Sequence, residues 1–146
     1  MTRVPATLGL VFLAAVASGE PMPRRYLDVD GHPITVEVAN TNASRLQGVR
    51  GRQRLAENGG MLFVMPKVYR ACLWMKDTSI PLSVAFVTTE GHVTDLWRLV
   101  PYSRQPICAT TPIKYFLEMR PAWFSTNHVT PMSRLHGLLD VPDSGE

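Results

Sequence analysis

Ile34, Val36 and Val38 are apolar, and Thr35 and Glu37 between them are polar. Strict alternation of this kind marks a strand with one buried face, because successive side chains along a strand point to opposite sides. Asp30-Gly31 stands just upstream. That pair supplies the positive φ angles of a two-residue hairpin turn, so residues 26–29 are expected as the partner strand.

The same reading continues down the chain. Met61-Leu62-Phe63-Val64-Met65 is apolar throughout, as in a strand covered on both faces, and Pro66 is expected to close it. Residues 71–75, 82–87, 93–100 and 114–119 read as further strands, with Glu90-Gly91 as the turn between 82–87 and 93–100. Helical text is scarce. Residues 40–44 offer several N-caps to a short helix through Arg45-Leu46-Gln47 that ends at Gly48. Pro121-Ala122-Trp123-Phe124 starts a second, with proline in a tolerated first-turn position. The expectation is an all-β fold, mainly β with one or two short helices, built as a compact sandwich or barrel.

The ends are of a different kind. Arg3 precedes an uncharged run at residues 8–17, and Ala15-Val16-Ala17 fits a small-x-small cleavage pattern. The run is too short for a transmembrane helix, which needs about 20 apolar residues, so residues 1–17 are expected to be a signal peptide. Removing 17 residues from 146 leaves 129, enough for one domain with a real core. Residues 18–25 are then a flexible lead-in, 26–139 a single β-rich domain, and 140–146 a flexible acidic tail. The expected location is periplasmic or secreted, with no stable membrane anchor after cleavage.

The formal charge of +3 falls to +2 once Arg3 is lost. The one basic cluster, Arg45, Arg50, Arg52 and Arg54, is sparse. A nucleic-acid binder shows a denser stripe interleaved with aromatics, so no nucleic-acid partner is expected. Cys72 and Cys108 are the two cysteines. In an oxidising compartment such a pair forms a disulfide; two separate buried thiols are the alternative. No Cys-x-x-Cys or His-x-x-x-His spacing is present, so no metal or other cofactor is expected. His32 and His92 both follow a glycine in a turn, and read as spectators.

Several pieces, taken together, resemble a known family. They are Arg45-x-x-Gly48 with Arg52, Gly60-Met61-Leu62-Phe63, Trp74-Met75-Lys76-x-Thr78-x-Ile80-Pro81-Leu82, Phe86-Val87-x-x-x-Gly91, Tyr115-x-Leu117-Glu118 and Ala122-Trp123. The chain resembles the uncharacterised bacterial and archaeal family called domain of unknown function 192, from about Ile34 to Gly137. It departs from the usual pattern at Val49-Arg50, at Asp77, at Ser83 and at residues 130–133. The resemblance implies a compact β-rich fold of jelly-roll type, often behind a signal peptide. It implies no established activity, cofactor or catalytic residue.

Trp74, Lys76, Asp77 and Thr78 form a charged, aromatic strand end, and Arg45 and Glu118 are the other charged positions matching the family pattern. These six are the candidate ligand-binding residues; catalytic residues are unknown. In one reading Lys76 and Asp77 rim a cleft over Trp74, suited to a polar ligand with an apolar face such as a sugar ring. In the other, Asp77 caps its own turn and Lys76 is a solvated charge. Glu118 lies between Leu117 and Met119. It is expected either to pair with Arg45 as a structural ion pair or to share the cleft as an acid/base group. A Cys72–Cys108 bridge is expected to pin the loop of residues 102–112 over that mouth. The favoured function is an exported binding module for a glycan-like ligand, the partner being an envelope polysaccharide or peptidoglycan fragment. An envelope-acting enzyme using Lys76, Asp77 and Glu118 is the alternative, and a structural or assembly partner is a third.

Overall fold

The computed structural model describes residues 21–145; the run at 8–17 and its cleavage site lie outside the described residues. Strand β1 (Arg24–Val29) turns at Asp30-Gly31 into β2 (His32–Ala39), both turn residues having positive φ. Helix α1 (Asn42–Gln47) follows. Thr41 caps it, its hydroxyl accepting from the Ser44 amide while Ser44 Oγ accepts from the Thr41 amide, which satisfies amides the helix itself leaves unpaired. The chain then returns as β3 (Gly59–Tyr69), parallel to β2. After β4 (Cys72–Leu73) come β5 (Leu82–Val87), β6 (Val93–Leu99), β7 (Ile107–Cys108) and β8 (Ile113–Met119). Helix α2 (Trp123–Thr126), β9 (Leu135–His136) and a 3-10 turn at Leu138–Asp140 complete the order.

Seven strands form one curled sheet in the order β6-β5-β8-β3-β2-β1-β9, and β4 and β7 make a separate ribbon. The mainly β expectation therefore stands, with two short helices. The two-sheet jelly-roll arrangement is not what the pairing gives. The helical crossover between β2 and β3 makes one parallel pair inside an otherwise antiparallel sheet, a connection that hairpin signals in the sequence do not announce.

Alternation along the central strands divides the core in two. Leu62, Val64, Ala85, Val87, Leu117 and Met119 pack on one face, under Trp123, Phe124 and Leu135. Met61, Phe63, Val84, Phe86 and Phe116 pack on the other, under Val49, Met75 and Ile80. Both faces are covered, which is why β3 and β5 read as unbroken apolar text. At Gly60, β3 runs so close to β8 that a β-carbon would stand 2.3 Å from Met119 Sδ and 2.6 Å from the Glu118 carbonyl oxygen. Glycine is needed there for packing, since no larger residue fits the gap.

Three local expectations change. Pro66 does not close β3, which runs on to Tyr69. The β3–β8 register breaks between Val64 and Tyr69, and a proline at such an irregularity removes no ladder bond. Of residues 71–75 only Cys72–Leu73 is strand; Met75 instead begins a turn closed by the Thr78 amide to the Met75 carbonyl, 3.1 Å. Within residues 140–146, expected as a flexible tail, residues 143–145 make polar contacts with the body. Lys114 Nζ lies 2.9 Å from the Asp143 carboxylate, and the Gly145 amide donates to the Asn40 carbonyl at 2.8 Å.

Candidate functional site

A pocket opens on the second face of the sheet. There β3 and β8 floor a volume of about 400 Å³, with α1 and its following turn on one side and residues 72–78 on the other. Arg45, Trp74, Asp77, Thr78 and Glu118 all line it. The structure thus brings five of the six candidate residues together. Lys76 is the exception: its Nζ stands 5.5 Å from the centroid of the Trp74 ring, outside the lining, in cation–π geometry.

Glu118 is the chemical centre of this pocket. Its register partners on the two flanking strands are Met61 and Val84, and its own strand offers Phe116 on the same face. The residue is 6% exposed and forms no ion pair among the described residues. Burial pushes its carboxyl from an ordinary 4.5 up to about 8, because a desolvated carboxylate is costlier than the neutral acid. At neutral pH the acid therefore holds its proton in most molecules.

The expected Arg45–Glu118 ion pair is not formed. Arg45 sits on α1, and its guanidinium donates to the carbonyls of Asn40 (2.9 Å) and Val64 (3.0 Å), to Ser144 Oγ (3.0 Å) and to Asn42 Oδ1 (2.6 Å). It ties the helix to β3 and to the chain's C-terminal segment. Asp77 does not cap its own turn either. Its carboxylate lies 3.3 Å from Arg50 across the mouth, with both side chains about half exposed. Arg52 pairs with Glu37, so three of the four clustered arginines are engaged within the fold.

The lining mixes polar and apolar groups, and its apolar part is largely aromatic. The rings of Phe63 and Phe116 stack with centroids 4.3 Å apart, and both line the pocket with Val49 and Met65. Trp74 stands at the mouth, 53% exposed. The sequence reading missed Phe63, Phe116 and Arg50. The two phenylalanines sit in runs indistinguishable from core, and the reach of Arg50 to Asp77 depends on a non-local approach.

Gly48 ends α1 with φ 49 and ψ −139, and a β-carbon there would lie 3.4 Å from the Phe63 ring. Gly48→Ala is expected to lose about 1–3 kcal/mol, from forcing a side chain into that backbone region. A urea denaturation midpoint equal to the wild type's would contradict this.

Cys72 and Cys108 are joined by a disulfide, with their Cα atoms 3.9 Å apart on directly opposed positions of β4 and β7. The bridge and the loop lie differently from expectation. Cys72 lines the pocket, but no residue of 102–112 does. The loop packs behind the rim, where the Met75 amide donates to the Ser103 carbonyl (3.1 Å) and the Tyr102 amide to the Thr78 carbonyl (3.0 Å). It braces the rim and leaves the mouth uncovered.

Fold and site together define a small, mainly β protein with a side pocket of mixed polar and apolar lining and a buried acid at its floor. The chain belongs to the family domain of unknown function 192, described as uncharacterized ACR, whose profile matches residues 25–137. Among curated proteins, none matches it. A crystal structure from Sinorhizobium meliloti 1021, described as a proposed transcription regulator, is similar with a TM-score of 0.78 and 28% identity, covering 82% of this chain and 98% of that one. A protein of unknown function from Novosphingobium aromaticivorans DSM 12444 shares the fold, with a TM-score of 0.73 and 24% identity over 88% of this chain and 100% of the other.

Proposed function

We propose that the pocket binds a compact polar ligand with an apolar face, and that the protein serves as an exported binding module of the cell envelope. The observation that carries this reading is the convergence of Arg45, Trp74, Asp77, Thr78 and Glu118 on one pocket of about 400 Å³. Small-molecule sites fall in the range of about 300–1,000 Å³ and combine apolar walls with a few polar groups. A single sugar ring matches that size, and the exposed indole at the mouth offers it a stacking face. The uncharged run at residues 8–17, the Ala15-Val16-Ala17 pattern and the disulfide support export. Among the described residues no helix is long and apolar enough to cross a membrane.

The acid/base alternative is weaker, because Lys76 stands outside the pocket and Asp77 is paired with Arg50. The regulator description of the similar structure finds little support here, since Arg45, Arg50 and Arg52 are engaged internally. Titration calorimetry with peptidoglycan fragments and oligosaccharides tests the proposal. Trp74→Ala is expected to weaken the responding ligand about tenfold, the loss of one stacking contact of about 1.4 kcal/mol. If no ligand distinguishes wild type from this variant, the proposal fails.

A further inference from the structure

We infer that the ligand buries a protonated amine, seated against the Glu118 carboxylate and flanked by the stacked Phe63 and Phe116 rings. This rests on the proposal that the pocket binds a small ligand, and it names the group that the deepest part of the pocket selects. Glu118 is 94% shielded by the protein around it, being 6% exposed, and what exposure it keeps lies in the pocket. A buried acid with no partner is a costly arrangement. An incoming cation supplies the opposite charge that lets this acid ionise in place.

Among the described residues no cation does so. On α1 and its following turn the charged groups are Arg45, held by Asn40, Val64, Asn42 and Ser144, and Arg50, held by Asp77. On the 72–78 rim they are Asp77 and Lys76, the latter over Trp74 and outside the lining. The face of β3 toward Glu118 carries Met61, Phe63 and Met65, that of β5 carries Leu82, Val84 and Phe86, and β8 adds Phe116. None of these is charged. An anion would meet the buried acid with no compensating cation beside it, whereas an ammonium is attracted by the carboxylate.

The proton balance follows directly. The neutral Glu118 carboxyl gives its proton to solvent, the ammonium keeps its own, and an ion pair forms. Because burial holds the empty-site acid at about 8, amine binding below that pH releases close to one proton. Affinity should then rise by nearly tenfold per pH unit up to about pH 7 and level off above about pH 8.

Cyclohexylamine and cyclohexanol test this as a pair of like shape, by calorimetry in buffers of different ionisation heat. The amine is expected to bind at least about tenfold more tightly than the alcohol at about pH 8, with buffer-dependent heat showing proton release. Glu118→Gln, checked for folding by its thermal transition, should erase both the preference and the pH dependence. Glucosamine and Nα-acetyl-lysine methylamide separate the two sources of such a group, an amino sugar and a peptide side chain. Equal binding of amine and alcohol, or an unchanged pH profile in Glu118→Gln, overturns the amine inference and leaves the pocket proposal standing. If neither these probes nor saccharides and wall fragments bind, both fall.

Discussion

Glu118→Gln is expected to be more stable than the wild type above neutral pH, by a margin that widens from about pH 5 to about pH 8 and then levels off. In the folded protein the Glu118 carboxyl titrates near 8, raised from 4.5 by burial. Between those values the native state binds more protons than the unfolded chain, so wild-type stability falls as pH rises. Below about 4.5 the acid is protonated in both states and the difference vanishes. Above about 8 the folded protein carries the full cost of a buried carboxylate, at most about 5 kcal/mol for a span of this size at about 1.4 kcal/mol per unit. Glutamine keeps the shape and removes the titration. Urea denaturation of both proteins across this range is the measurement, and parallel stability curves would show that Glu118 is solvated and ionised throughout.

The second large effect concerns the bridge. Cys72→Ser and Cys108→Ser are each expected to lose about 3–4 kcal/mol, the loop-closure entropy of a bridge of this span, for residues 36 apart in sequence. For a domain of this size that is a fall of about 10–15 °C in Tm. The double variant should be no worse than either single one, since both remove the same bond. Because the bridge holds the rim ribbon that lines the pocket, ligand affinity should fall with stability in all three. Additive losses, or free thiols in the purified protein, would contradict a bridge acting as one unit.

Strand text was legible wherever local rules decide the outcome. The Asp30-Gly31 turn, the alternating β2 and the apolar β3 and β5 form as the residues indicate. So do the Glu90-Gly91 turn and helix α1, whereas α2 begins only at Trp123, behind a left-handed Ala122, and leaves Pro121 outside its first turn. What the chain text does not carry is order across the sheet. The placement of β8 between β3 and β5 brings Phe116 and Glu118 beside Phe63, and it is set by pairing between residues 28 to 59 positions apart. The site was legible in the same partial way. Unusual charged and aromatic residues pointed to Trp74, Asp77, Thr78, Arg45 and Glu118. Their bonds, Arg45 to carbonyl oxygens and Asp77 to Arg50, depended on neighbours that only the fold supplies.

The disulfide behind the rim also makes the pocket mechanically lopsided. One jaw, residues 72–78, is bolted to the ribbon by a covalent bond and backbone hydrogen bonds from Met75 and Tyr102. The opposing jaw beyond Gly48 is held by single-turn hydrogen bonds, Arg50 to Gln47 and Arg52 to Val49, by the Arg52–Glu37 pair, and by the Arg50–Asp77 latch across the gap. That latch is half exposed, and pairs of this kind contribute little, about 0–1 kcal/mol, in water. A bulkier guest would therefore be accommodated by the turn beyond Gly48 yielding while the tryptophan side keeps its place, so that size tolerance and stacking geometry are set by different halves of the same vice.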